Sequence, residues 1–92
     1  MRRDPLADPR PLIRSVYAYV AYRIGDASFG RGDFTAAAQD YRRAIGIDPR
    51  NWVLWFDLGY ATSGTESDAA FARAAALDPR NPDIPKEPAR AS

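Results

Sequence analysis

The stretch Arg43-Ala44-Ile45-Gly46-Ile47-Asp48-Pro49-Arg50-Asn51 returns 30 residues later as Arg73-Ala74-Ala75-Ala76-Leu77-Asp78-Pro79-Arg80-Asn81. The aromatic positions just upstream, Tyr41 and Phe71, keep the same offset. Both copies read as the end of a helix. Apolar residues run at helical spacing up to an Asp-Pro pair, and proline both stops a helix and biases the residue before it towards extended backbone. A helical segment that recurs and closes in the same way implies stacked helical hairpins.

Outward from this repeat, proline sets the organisation. Prolines at 5, 9, 11, 49, 79, 82, 85 and 88 leave 12–48 and 50–78 free of them. A proline inside a helix costs ~3 kcal/mol, so helices belong in those two stretches. Each is too long for one globular helix and has a glycine break inside it. Phe29-Gly30-Arg31-Gly32-Asp33 offers a turn followed by a capping aspartate. Thr62-Ser63-Gly64-Thr65 offers a second turn, with Thr65 and Asp68 spaced like a capping box. The pattern predicts four helices, over about 11–29, 33–47, 51–62 and 65–77. No useful length alternates with period two, so the expected class is all-α, built of antiparallel hairpins over 11–49 and 50–79. Residues 1–10 are expected to be an N-terminal extension, and 79–92 a proline-rich, extended or flexible tail.

Each predicted helix has apolar residues at i, i+3, i+4 spacing. The first has Leu12, Ile13, Val16, Tyr17, Val20, Ile24 and Ala27, and the second Ala37, Tyr41, Ala44, Ile45 and Ile47. The third has Trp52, Trp55, Leu58 and Gly59, and the fourth Ala70, Phe71, Ala74 and Leu77.

Composition removes whole classes of function. The 92 residues contain no cysteine and no histidine, which excludes disulfides, thiolate metal sites, cysteine nucleophiles and the commonest general base. No base is arranged near Ser15, Ser28, Ser63, Ser67 or Ser92, so no enzyme, cofactor or metal site is expected. Net charge is +1, and the arginines lie singly rather than in one stripe, so nucleic acid is not an expected partner. The most apolar stretch, Leu12 to Ile24, is broken by Arg14 and Arg23 and is too short to span a membrane. The N-terminal residues carry prolines and aspartates where an export signal needs an apolar run, which makes the cytoplasm the default compartment. Arg31-Gly32-Asp33 spells an adhesion tripeptide, but its glycine and aspartate are already required by the turn and the cap. Gly30-x-Gly32 lacks the third glycine, the preceding strand and the lysine of a phosphate-binding loop.

The spacing of Ile24-Gly25, Gly32-Asp33-Phe34, Ala37, Tyr41, Ala44 and Pro49, with Trp55, Leu58-Gly59, Phe71, Ala74 and Pro79, resembles the tetratricopeptide repeat. The resemblance covers about residues 18–81 and implies an α-α superhelix. Ala21 and Ser28 depart from the large residue and the tyrosine usual there, and the second hairpin is four residues shorter between glycine and aromatic. Gly25 and Gly59 then admit a close partner helix, and Tyr41 and Phe71 fill the space between hairpins. The segment from Asn51 to Gly64, with the alanine-rich run after it, also resembles the repeat-bearing tails of bacterial O-antigen-ligase-like proteins.

In the tetratricopeptide family ligands lie in a concave groove lined by the first helix of each hairpin. Carried over by position, the groove residues are Tyr19, Tyr22, Arg23, Asp26, Phe29, Val53, Phe56, Asp57 and Tyr60. Of these, Tyr22, Asp26, Phe56 and Tyr60 are expected to be exposed on one face, and Tyr41, Ala44, Leu58 and Phe71 buried. The lysine and asparagine that clamp a chaperone's C-terminal carboxylate are absent, so that subtype is excluded. The groove residues themselves either bind or simply pack. The resemblance implies a protein-interaction module, a scaffold or adaptor taking a peptide or partner helix. The second expectation is a structural or assembly domain of a larger, membrane-bound polysaccharide ligase or polymerase. Two hairpins are few for a free-standing solenoid, which points to a homo-oligomer or a piece of a longer chain.

Overall fold

The computed structural model describes residues 9–85 and is all-helical among them: α1 (Pro9–Gly30), α2 (Phe34–Ile47), α3 (Trp52–Ala61) and α4 (Gly64–Leu77). Of the expected extension over 1–10, residues 1–8 lie outside the described residues, whereas Pro9 and Arg10 already belong to α1. Of the expected tail over 79–92, residues 86–92 lie outside as well. Pro9 and Pro11 fall in the first turn of α1, where backbone N–H groups lack helical partners anyway, so the helix starts through them. It ends where Gly32 adopts φ +80° and its N–H, with that of Asp33, folds back on the carbonyls of Phe29 and Ser28. Asp33 caps α2 through Ala36 N–H, as the sequence predicts. Asn51 caps α3 in the same manner. The cap of α4 differs from expectation. It is Ser63, without a side-chain bond, and Thr65 lies inside the helix. Gly64 supplies φ +66°, and Ser67 donates to Gly59 O to fasten the first turn of α4 to α3.

The pairings identify two antiparallel hairpins. Along α1 and α2, Arg14 meets Ile47, Asp26 meets Tyr41, and Phe29 meets Phe34. Along α3 and α4, Gly59 meets Ser67, Phe56 meets Phe71, and Trp55 meets Arg73. The hairpins join through α2 against α3, and a bidentate Arg42–Glu66 pair at 2.8 Å links α2 to α4. The core is rich in alanine: Ala21, Ala37, Ala38, Ala44, Ala61 and Ala70 surround Tyr41, Ile45, Leu54 and Leu58. Small residues let helix axes approach, and the few large side chains fill what remains.

Three expectations about packing are corrected. The apolar stripe predicted as the face of α1 points to solvent: Ile13, Val16, Tyr17, Val20 and Ile24 are all exposed, and Ala27 with them. The buried face is Ala18, Ala21, Gly25 and Ser28, because α2 presents the Tyr41 ring and only a small-residue face can receive it. The ring of Tyr41 lies on Gly25 and that of Phe71 on Gly59, each within its own hairpin. Finally, Phe71 is only half-buried, and so are Trp52 and Trp55.

The two glycine contacts are unequal in consequence. A Cβ on Gly25 would stand 2.8 Å from the Tyr41 ring and 3.3 Å from Ala37 O, and Tyr41 is buried with its hydroxyl bound to Asp26. A Cβ on Gly59 would stand 2.7 Å from the Phe71 ring, which is half-exposed and can swing away. Gly25→Ala is therefore expected to destabilise by ~1–3 kcal/mol from overpacking. Gly59→Ala should stay within ~1 kcal/mol of the parent, since the alanine's helix propensity offsets the ring shift. Urea denaturation of the two variants checks the contrast.

The repeat also runs further than the sequence alone suggests. The tail is not simply extended after Pro79, because Ile84 is 2 % exposed. Asn81 N–H bonds Asp78 O as Asn51 N–H bonds Asp48 O, and Asn81 Oδ1 accepts from Asp83 N–H as Asn51 Oδ1 accepts from Val53 N–H. Ile84 then stands 30 residues after Leu54, which is also 2 % exposed. Residues 81–84 thus repeat the turn that starts α3, although Pro85 has no N–H to give Asn81 O.

Candidate functional site

The parallel first helices of the two hairpins, α1 and α3, bring Tyr22, Asp26 and Asp57 together. Tyr41, reaching from α2, donates its hydroxyl to Asp26 Oδ1 at 2.6 Å. The hydroxyl of Tyr22 interacts with both carboxylates, and its ring lies 6.0 Å from that of Tyr41. Burial, then the two carboxylates, push the pKa of Tyr22 far above the usual phenol range. Tyr41 is raised by burial first and next by its bond to Asp26. Asp57 is pushed up by burial and by the charge of Asp26, while the Tyr22 hydroxyl acts in the opposite sense.

This acidic cluster continues into an open cavity of about 400 Å³ at the N-terminal end of α3. Ser15, Ala18, Tyr19 and Tyr22 of α1 line one side, and Asp48, Asn51, Val53 and Leu54 the other. The ring of Tyr19 lies 6.5 Å from that of Tyr22. Arg23 is exposed and donates to the Tyr19 hydroxyl at 3.1 Å, so its guanidinium covers that ring rather than the carboxylates.

The predicted groove residues therefore divide. Tyr19, Tyr22, Asp26, Val53 and Asp57 share one surface. Phe56 and Tyr60 form a second aromatic patch with Trp52 and Phe71, with ring centroids 5.0–6.0 Å apart. Phe29 packs edge-on against Phe34 across the α1–α2 turn and is not part of either. Of the four residues expected to be exposed, Tyr60 is, whereas Tyr22, Asp26 and Phe56 are half-buried. Tyr22 packs against the core, so its removal affects folding as well as the groove.

Sequence reasoning missed the part of Tyr41 in this site and the lining by Asp48 and Asn51. One signal was present: the repeat places tyrosine at 41 and phenylalanine at 71, and a core position gains a hydroxyl only where it has a partner. Among the described residues no group of three or more potential metal ligands converges, and no helix is long and apolar enough to cross a membrane. Gly32 and Asp33 of the Arg-Gly-Asp sequence are held in the turn and the cap, and Arg31 donates to Ser28 Oγ at 3.2 Å. No protein-family model matches the chain, and no curated protein matches it in sequence.

Proposed function

We propose that the chain is a tetratricopeptide-like protein-interaction module, a scaffold or adaptor, and that the groove between α1 and α3 takes a peptide carrying a basic side chain. The observation that carries this reading is the convergence of Asp26 and Asp57 around Tyr22. Burial and the charge of Asp26 disfavour the ionised Asp57 carboxylate, and a cation supplied by a partner relieves that cost. The rings of Tyr19 and Tyr22 beside the carboxylates offer flat contact area for the partner's apolar stem.

Asp57 provides a test free of folding defects. Its pKa is raised in the folded state, so its contribution to stability is greatest below the unfolded value near ~4 and declines as pH rises through the folded one. Asp57→Asn should hence melt at or slightly above the parent temperature at pH 7, by no more than ~1 kcal/mol for this half-exposed group, with the gap closing in acid. Peptides selected from a random displayed library should be enriched in arginine and lysine. The best of them should bind Asp57→Asn at least tenfold more weakly, ~1.4 kcal/mol. Selection without basic residues, or equal binding to the variant, would remove this function.

A further inference from the structure

We infer that the exposed stripe of α1 is a homodimer interface, on which a second copy of this chain packs its own α1 in antiparallel register. The stripe consists of Ile13, Val16, Tyr17, Val20 and Ile24, between 46 % and 63 % exposed. They fall on one side of the helix, about a quarter-turn round from the face that α2 covers. No charged residue interrupts the stripe. Arg14 is turned to Ile47 O and Arg23 to the Tyr19 hydroxyl.

The internal repeat establishes that this side is a packing surface. Gly25 and Gly59 are 34 residues apart, and the same offset relates Val20, Ile24 and Ala27 to Leu54, Leu58 and Ala61. In α3 those three are buried. Their counterparts in α1 lack that cover among the described residues, and the stripe continues towards the N-terminus through Tyr17, Val16 and Ile13.

The occupant follows from the other end of the array. Head-to-tail stacking would need an apolar outer face on α4. That helix exposes only Ala69, Ala72 and Ala76 among its apolar residues, and the turn carrying buried Ile84 stands where the next first helix would begin. A face with no matching apolar surface on α4 pairs with its own copy about a two-fold axis rather than building a filament. The stripe is also close to self-complementary. In an antiparallel pair centred between residues 18 and 19, Ile13 faces Ile24 of the second copy and Tyr17 faces Val20. The helix dipoles oppose each other in that arrangement.

Sedimentation equilibrium of the 92-residue chain at tens of micromolar tests the pairing, with an expected mass twice 10.2 kDa. Val20→Glu should give a monomer with unchanged helical circular dichroism, weakening association by on the order of 100-fold. The chain has no cysteine, so Tyr17→Cys and Val20→Cys each introduce a unique thiol. Mixed and oxidised, the two variants should cross-link to each other in preference to themselves. A monomeric parent chain, a Val20→Glu variant that still dimerises, or links only between identical positions would each overturn the interface. The cross-linking result stands even if the glutamate variant unfolds.

Discussion

Tyr41→Ala should leave the domain largely unfolded at 25 °C. The ring is 1 % exposed, seats on Gly25, and is the largest fully buried side chain among the described residues. Removing a buried aromatic costs ~3–5 kcal/mol. A domain of this size rarely has more than ~3–5 kcal/mol in total, so this single change matches the whole margin. The loss has two parts, a cavity against the backbone at Gly25 and a lost hydrogen bond to the Asp26 carboxylate. Tyr41→Phe separates them. It keeps the ring, loses only the 2.6 Å bond, and should cost ~1.5–3 kcal/mol, the value of a hydrogen bond to a charged group. The hydroxyl also predicts a pH effect. A phenol whose folded pKa is raised stabilises fully below the unfolded value of ~10 and loses that contribution as pH rises beyond it. The parent should therefore lose stability above pH ~10 more steeply than Tyr41→Phe. Thermal melts followed by circular dichroism, at one protein concentration, measure all three effects. A cooperatively folded Tyr41→Ala variant would show that the ring is dispensable.

Ile84→Ala should destabilise by ~2–4 kcal/mol, although the residue stands beyond the last helix in a segment crowded with proline. Its side chain is 2 % exposed, and the turn that delivers it is held by Asn81 N–H to Asp78 O and Asp83 N–H to Asn81 Oδ1. Asn81→Ala removes the side-chain part of that turn and should cost less, ~1 kcal/mol, as for a lost helix cap. If Ile84 were only an incidental contact, its alanine variant would melt like the parent, and α4 would have to be stable with that end uncovered. Urea titration of the two variants distinguishes the cases, because a cap that seals an array changes the midpoint without changing the slope.

The helix boundaries were legible because local chemistry sets them. Proline at 49 and 79, the glycine turn at 32 and the Asp33 cap act through the backbone within a few residues, and all are used as the sequence implies. The repeat likewise announced the hairpins and the two glycines where partner helices come close, although it set the Tyr41 and Phe71 rings between hairpins rather than on Gly25 and Gly59. Where the period misled was the side of α1 that faces inward, since it pointed to Ile13, Val16, Tyr17, Val20 and Ile24, which are exposed. That helix has apolar or small residues nearly all round, so its period fits two faces. The choice fell to the bulk of Tyr41, which seats against Ala21 and Gly25 and not against Ile24. The resemblance put Tyr22, Asp26 and Asp57 in one groove, but the hydroxyl shared between the two carboxylates and the bond from Tyr41 were beyond it. Asp26 and Asp57 lie 31 residues apart on separate helices, and only the parallel packing of α1 and α3 brings their charges to one hydroxyl. Ile84 was hidden because burial of a lone apolar residue leaves no period to read. Its cover comes from tertiary packing, which sequence spacing does not encode.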